Sequence, residues 1–374
     1  MGRELSNEEY GIFSIIRKII QFSSWFVVLG IDAGIIRIIK INLNFYNWKK
    51  ILKDSQSLSL ILSIFPIILV SYLFKIKFLY LFITYLIIIL LTTLIINNSF
   101  LRIMTQFGKA QFILHGWKIL FFCLLLLVLT SSKFSFSLKN ILFLLFFSYL
   151  IFCVISYFFT NNISNGKKNI SLKFVIFNSI EFYFITLLTL FIIVFDSIIV
   201  AKYLGFANLG VYTAVSLIPI TTFNLIGSSI GQVLMPSLKK NGFINRKDII
   251  IIITIIGMIL LLLLYYSSFS LNHIIFKGKF DDFNFLSVIF LIIGLLQYFG
   301  NIIYFYLGGT GTREELKLYS MFIFIHTIFS VILILTLFEM KLISSLYAVG
   351  ISMIIVWLIR DLIGIYHIFK LKVY

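Results

Sequence analysis

Residues 249–264 read Ile-Ile-Ile-Ile-Ile-Thr-Ile-Ile-Gly-Met-Ile-Leu-Leu-Leu-Leu-Leu, with one hydroxyl and no charge. A strand that crosses a bilayer alternates apolar and polar positions over about ten residues, and this run does not alternate. As a helix it supplies most of the roughly 20 apolar residues needed to span about 30 Å of hydrocarbon. Blocks of the same kind fill the chain, separated by short Lys, Asn and Gly stretches. They predict eleven membrane helices at about 10–39, 56–74, 77–99, 111–132, 138–160, 173–200, 210–237, 249–271, 284–308, 317–338 and 342–362. Of the 374 residues, 61% are hydrophobic and 12% charged, and the mean hydropathy is +1.09. That leaves too little polar surface to cover a water-soluble body, for which about 25% charged residues is usual. The fold class is an all-α polytopic membrane protein.

The chain carries an internal repeat. Gly2-Arg3-Glu4-Leu5-Ser6 followed by Tyr10-Gly11-Ile12-Phe13-Ser14 aligns with Ala201-Lys202-Tyr203-Leu204-Gly205 followed by Leu209-Gly210-Val211-Tyr212-Thr213, at a constant offset of 199. The segments 77–99, 111–132 and 138–160 pair in turn with 284–308, 317–338 and 342–362. The repeat predicts two pseudo-symmetric lobes: 1–165 with five helices and 166–374 with six. Helix 173–200 precedes the repeated turn in the second half, and its counterpart would lie upstream of Met1. The expectation is a twelve-helix plan whose first helix is missing, with a natural five-plus-six variant as the alternative.

Charge distribution orients the chain. The formal charge is +17, from 31 Lys and Arg against 14 Asp and Glu. Eighteen basic residues fall on one side: Arg37, Lys40, Lys49, Lys50, Lys53, Arg102, Lys109, Lys167, Lys168, Lys173, Lys239, Lys240, Arg246, Lys247, Arg313, Lys317, Lys370 and Lys372. Nine fall on the other: Arg3, Lys75, Lys77, Lys133, Lys139, Lys202, Lys277, Lys279 and Lys341. Arg17, Lys18, Lys118 and Arg360 lie within or at the edge of helices. The excess places the C-terminus in the cytoplasm. Contact with anionic lipid head groups accounts for most of the charge, and nucleic acid is not a required partner.

Ionisable groups inside the bilayer cost at least a few kcal/mol, so they mark cavities or partners. On helix 10–39, Ser14, Arg17, Lys18, Gln21, Trp25 and Asp32 fall within about 100° of one another at 100° per residue. Arg17 and Lys18 are placed either to snorkel or to line a water-filled lumen, and the shared face with Gln21 and Asp32 favours the lumen. Helix 173–200 carries an acidic stripe of Asn178, Glu181, Thr189 and Asp196, and helix 210–237 carries Thr213, Ser216, Asn224 and Gly227. Interhelical hydrogen bonding accounts for the uncharged set, whereas Glu181 needs a proton or a cationic partner. Gly30-Ile31-Asp32-Ala33-Gly34 and Gly227-Ser228-Ser229-Ile230-Gly231 have the spacing that lets helix backbones approach closely. Pro66 and Pro219 predict kinks.

No nucleophile–base arrangement, metal-ligand spacing or nucleotide-binding Gly-x4-Gly-Lys-Ser/Thr motif is present. Enzyme chemistry, a metal and a cofactor are therefore not expected. Cys123 and Cys153 sit in apolar segments as small hydrophobes.

Three stretches carry a family resemblance: Arg3–Ser14 with Gly30–Arg37, Asp196–Gly205 with Gly210–Ala214, and Leu307–Glu314. Together they resemble polysaccharide exporters, the O-antigen and lipid-linked-oligosaccharide flippases of the MATE-like MOP superfamily. The resemblance implies two helical lobes around a lumen and alternating access in the cytoplasmic (inner) membrane. It implies a polyprenyl-phosphate-linked oligosaccharide as substrate, membrane lipids and H+ or Na+ as further partners, and contact with a polysaccharide polymerase. On that reading Arg17, Lys18 and Arg37 would attract the phosphates, and Trp25 would stack on sugar. Gln21 and Asn224 would line the lumen, and Asp32, Glu181 or Asp196 would couple an ion. The alternative is a cation-coupled exporter of cationic drugs, which calls for an acidic lumen.

Overall fold

The computed structural model describes residues 4–38, 47–104, 106–130, 137–161, 171–241, 246–340 and 345–370. Its elements are α1 (Asn7–Val28), α2 (Ile31–Ile38), α3 (Trp48–Leu62), α4 (Ile64–Phe74), α5 (Phe78–Ile103), α6 (Phe107–Thr130), α7 (Leu138–Asn161), α8 (Leu172–Phe177), α9 (Ile180–Ile199), α10 (Phe206–Asn241), α11 (Arg246–Phe276), α12 (Asn284–Thr310), α13 (Arg313–Glu339) and α14 (Leu346–Lys370). Among the described residues, eleven spans are long and apolar enough to cross a membrane. They coincide with the eleven expected from sequence. Of the basic residues used to orient the chain, Arg3, Lys40, Lys133, Lys167, Lys168, Lys341 and Lys372 lie outside the described residues. The side chains of Arg37, Lys239, Lys240, Arg246, Lys247, Arg313 and Lys370 do too.

Three expected helices are interrupted, each for a local reason. The segment 10–39 breaks at Leu29 and Gly30, whose φ angles of 51° and 72° are left-handed. A continuous helix would send the Gly30 amide to the Phe26 carbonyl; instead that carbonyl accepts the Tyr183 hydroxyl at 3.2 Å. The break moves Asp32 onto α2, so it does not share a continuous helical face with Arg17. The segment 56–74 breaks at Ser63, three residues before Pro66. Pro66 has no N–H to give the Leu62 carbonyl, which is enough to end α3 there. The segment 173–200 breaks at Asn178 and Ser179, which turn their side chains back onto the carbonyls of Phe174 and Ile176 at 2.8 and 3.0 Å. Asn178 therefore stands off the face that Glu181 and Thr189 occupy on α9. Pro219, by contrast, leaves α10 unbroken.

The contacts divide the chain into two compact units, one of residues 13–194 and one joining 1–12 to 195–374. The boundaries fall inside α1 and α9, away from the 165/166 division suggested by the repeat. Internal homology and packing need not share a boundary: Tyr183 and Ser179 pack against Gly30, which ties α9 to the residues before it.

In the 13–194 unit, α5, α6 and α7 pack together, with Asn97 donating to Ser156 at 2.9 Å and Asn98 to the Ala110 carbonyl at 2.7 Å. Val28, Ile31, Ile35, Ile51, Ile95, Ile96, Phe100 and Val175 form a dry core. Gly34 brings α2 against the backbone of Val175.

In the other unit, α12 packs between α10 and α14. Gly227 and Gly231 lie against Tyr298 and Phe305, so this small-residue pair does bring two helices close. The sequence repeat has a physical counterpart here. Gly11 lies against the carbonyl of Phe206, and Gly210 lies against the carbonyl of Asn7. Both pairs are repeat partners at the offset of 199, so α1 and α10 cross through a reciprocal, two-fold-like contact of Cα on carbonyl oxygen.

A Cβ at Gly11 would collide with the Phe206 backbone, whereas one at Gly108 would meet open space. Gly11→Ala is therefore expected to destabilise the protein by about 1–3 kcal/mol through overpacking, while Gly108→Ala stays within about 0.5 kcal/mol of the parent. Thermal unfolding in detergent checks this; equal midpoints for the two variants would contradict the crossing.

Candidate functional site

The site in the 13–194 unit is built on the middle of α1. Arg17 lies ten residues past Asn7, about 15 Å along the helix, near the centre of a hydrocarbon layer of about 30 Å. Its side chain is exposed, as is that of Gln21 one turn later. Lys18 is half-buried, and its Nζ donates to the Ile193 carbonyl at 3.3 Å. It thereby ties α1 to α9, while Arg17 stands open. Trp25 packs on the dry core around Val28 and Phe100. Asp32 is half-buried on α2, and Glu181 is buried at the start of α9. Arg37 falls in α2 with its side chain outside the described part.

Helix α6 adds groups that the stripe on α1 did not reveal. Lys118 lies eleven residues past Phe107, about 16 Å into the span. It is exposed and within electrostatic reach of Arg17. His115 is exposed one turn before it, with Nδ1 3.3 Å from Lys118 Nζ. The Lys118 ammonium stands 5.8 Å from the centroid of the Trp117 ring. Trp117 in turn stacks on Tyr149 of α7, centroids 4.2 Å apart, and its indole N–H donates to the Leu114 carbonyl at 2.9 Å. The result is a band of two exposed cations and an imidazole beside a paired aromatic platform, all near mid-span.

Exposure at that depth is informative. A cation facing lipid tails at the bilayer centre is disfavoured by at least about 2.5 kcal/mol. Two cations within electrostatic reach of one another add repulsion. Water or an anion beside them relieves both penalties. The arrangement suits an anionic group flanked by a ring that can stack on aromatic rings. The sequence signal for Lys118 was the same as for Arg17, a charge in the middle of an apolar block; only the structure brings the two within electrostatic reach.

The other unit holds a different polar set. Asn224 on α10 donates to Gln297 at 2.6 Å and accepts from Asn301 at 2.8 Å, both on α12. This is interhelical amide bonding with both partners satisfied. Asp196, 7% exposed, accepts the Tyr212 hydroxyl at 3.1 Å and the Ser197 hydroxyl at 3.0 Å. It is enclosed at the end of α9, just before a turn of π-helix over Val200–Leu204. Thr213 and Ser216 are buried on α10. Among the described residues no group of three or more His, Cys, Asp or Glu side chains comes together as a metal site would require.

No protein-family model and no curated protein matches the sequence. The fold is similar to that of a solved structure described as the inward-facing conformation of a multidrug resistance MATE family transporter of the MOP superfamily. The TM-score is 0.65 at 14% identity, over 98% of this chain and 91% of that one. The chain therefore has the MATE-like fold.

Tyr212→Phe removes one donor from a buried carboxylate and is expected to lower stability by about 1–3 kcal/mol. Arg17→Ala, at an exposed position, is expected to change it by about 0.5 kcal/mol or less. Thermal unfolding of the two variants in one detergent makes the comparison; the reverse order would contradict the burial assigned to each.

Proposed function

We propose that the protein is a membrane transporter working by alternating access, and that it flips a lipid-linked, phosphate-bearing oligosaccharide across the cytoplasmic membrane with its C-terminus in the cytoplasm. The fold likeness supports the transporter class. The single observation that carries the substrate class is the charge of the exposed mid-span groups: Arg17 and Lys118 are basic, whereas Glu181 and Asp196 are buried. Arg17 and Lys118 attract the phosphates, with Lys18 holding α1 in place through the Ile193 carbonyl. A guanidinium matches a phosphate with paired N–H donors, and an ammonium adds a point charge. Trp117 on Tyr149 offers the apolar face that a sugar ring stacks against. Of the coupling candidates, Glu181 lies at the start of α9 and Asp32 on α2.

The likeness to a multidrug transporter favours a second reading, a cation-coupled exporter of small molecules. The two readings differ in the sign of the cargo, because exposed cations repel a cationic drug.

Proteoliposomes separate them. With a fluorescent polyprenyl-diphosphate oligosaccharide as probe, the parent protein is expected to move the label across the bilayer. Arg17→Ala and Lys118→Ala each lose about tenfold or more in rate, the equivalent of one charge-assisted contact. Arg17→Lys retains part of the rate. Transport of a cationic dye instead, undiminished by Arg17→Ala, would overturn the flippase reading.

A further inference from the structure

Helix α14 carries Arg360 and Asp361 side by side, about two and a half turns before its C-terminal end. They are 2% and 5% exposed. Neither oxygen of Asp361 takes a hydrogen bond among the described residues. Both side chains reach toward Gly300 of α12: from the point a Cβ there would occupy, Asp361 Oδ1 lies 3.0 Å away and Arg360 Nη1 3.4 Å. Glycine makes the room that the pair fills. The Arg360 guanidinium lies 4.7 Å from the centroid of the buried Trp357 ring, which gives its charge a second support.

Among the described residues, the titratable or charged groups near Asp361 come from three helices. Arg360 stands beside it on α14. His326 on α13, 4% exposed, lies in the field of Arg360, with Nε2 3.3 Å from the Ser330 hydroxyl. Tyr319 on α13 lies in the fields of Arg360, Asp361 and Tyr304 of α12, and His367 packs edge-on against Tyr319. A buried carboxylate that accepts no hydrogen bond is an unfavourable ion, while a guanidinium next to it is favourable to that ion. The two effects oppose each other, which brings the ionised and neutral acids close in free energy. A group in that balance can exchange a proton.

We propose that Asp361 is a proton-binding site of the 195–374 unit, with Arg360 as the charge that answers to it. Binding adds one proton from bulk water to a carboxylate oxygen and release returns it to water; no other bond forms or breaks. The proton changes the charge facing Arg360, so occupancy of the site alters what holds α14 against α12 and α13. The inference does not depend on which substrate the protein carries.

Infrared difference spectra of the full chain in lipid nanodiscs, acid minus alkaline and without substrate, test it. The parent is expected to show the C=O stretch of a protonated carboxylic acid that titrates with pH. Asp361→Asn loses that band, and Asp361→Glu keeps it at a shifted frequency. Glu181→Gln and Asp196→Asn leave it in place, and Arg360→Gln moves its pH midpoint. An Asp361→Asn spectrum identical to the parent overturns the proposal. So does a band that sodium removes at constant pH, which would make Asp361 a site for an alkali cation. Because no substrate is present, failure here leaves the flippase reading standing, and failure of transport leaves this reading standing.

Discussion

A charge placed in hydrocarbon must find water, a counter-charge or a proton, and this requirement shapes the chain more than any other. Most of the molecule meets it by having no charge to place: 12% of residues are charged, and they gather at the ends of the spans. Two sets of exceptions stand out. Arg17 and Lys118 are exposed near mid-span in the 13–194 unit. Arg360, Asp361 and His326 are enclosed in the other. Exposed cations at that depth call for an aqueous or anionic surrounding, and enclosed groups call for internal compensation. The first set fits contact with cargo, and the second fits control of the helices that surround it.

The same accounting explains the breaks in the helices. A backbone carbonyl released in the membrane has no water to turn to, and two of the three interruptions come with a side-chain donor. Tyr183 supplies the Phe26 carbonyl at the Leu29–Gly30 break, and Asn178 and Ser179 bond back to the preceding turn at theirs. Lys18 reaches the Ile193 carbonyl from a separate helix. Interruptions satisfied in this way position side chains: the first of them takes Asp32 off the stripe that carries Arg17.

The sequence made the number and order of spans legible because a long apolar run is a local signal that tertiary contacts rarely overrule. It also showed the repeat, and Gly11 and Gly210 prove to be where the repeat becomes a contact. The breaks were not legible. The donor that permits the first, Tyr183, lies 157 positions away from the carbonyl it serves. Nor did the stripe on α1 predict its partners: Arg17 was marked by its place in an apolar block, but only the structure brings Lys118 and Tyr149 within its electrostatic reach, with His115 beside Lys118. Arg360 stood out as a charge within a span, while Asp361 beside it gave no sign that, among the described residues, neither of its oxygens has a hydrogen-bond donor.

The central claim is that Arg17 and Lys118 face water inside the membrane. Cysteine accessibility measures this directly, with Arg17→Cys and Lys118→Cys made in a background carrying Cys123→Ser and Cys153→Ser, since both native cysteines are free thiols. The account predicts that each new thiol reacts with a charged, membrane-impermeant reagent in intact proteoliposomes, and that an Ile119→Cys control on the adjoining face of α6 does not. Reaction of Arg17→Cys and Lys118→Cys only with lipid-soluble reagents would contradict it.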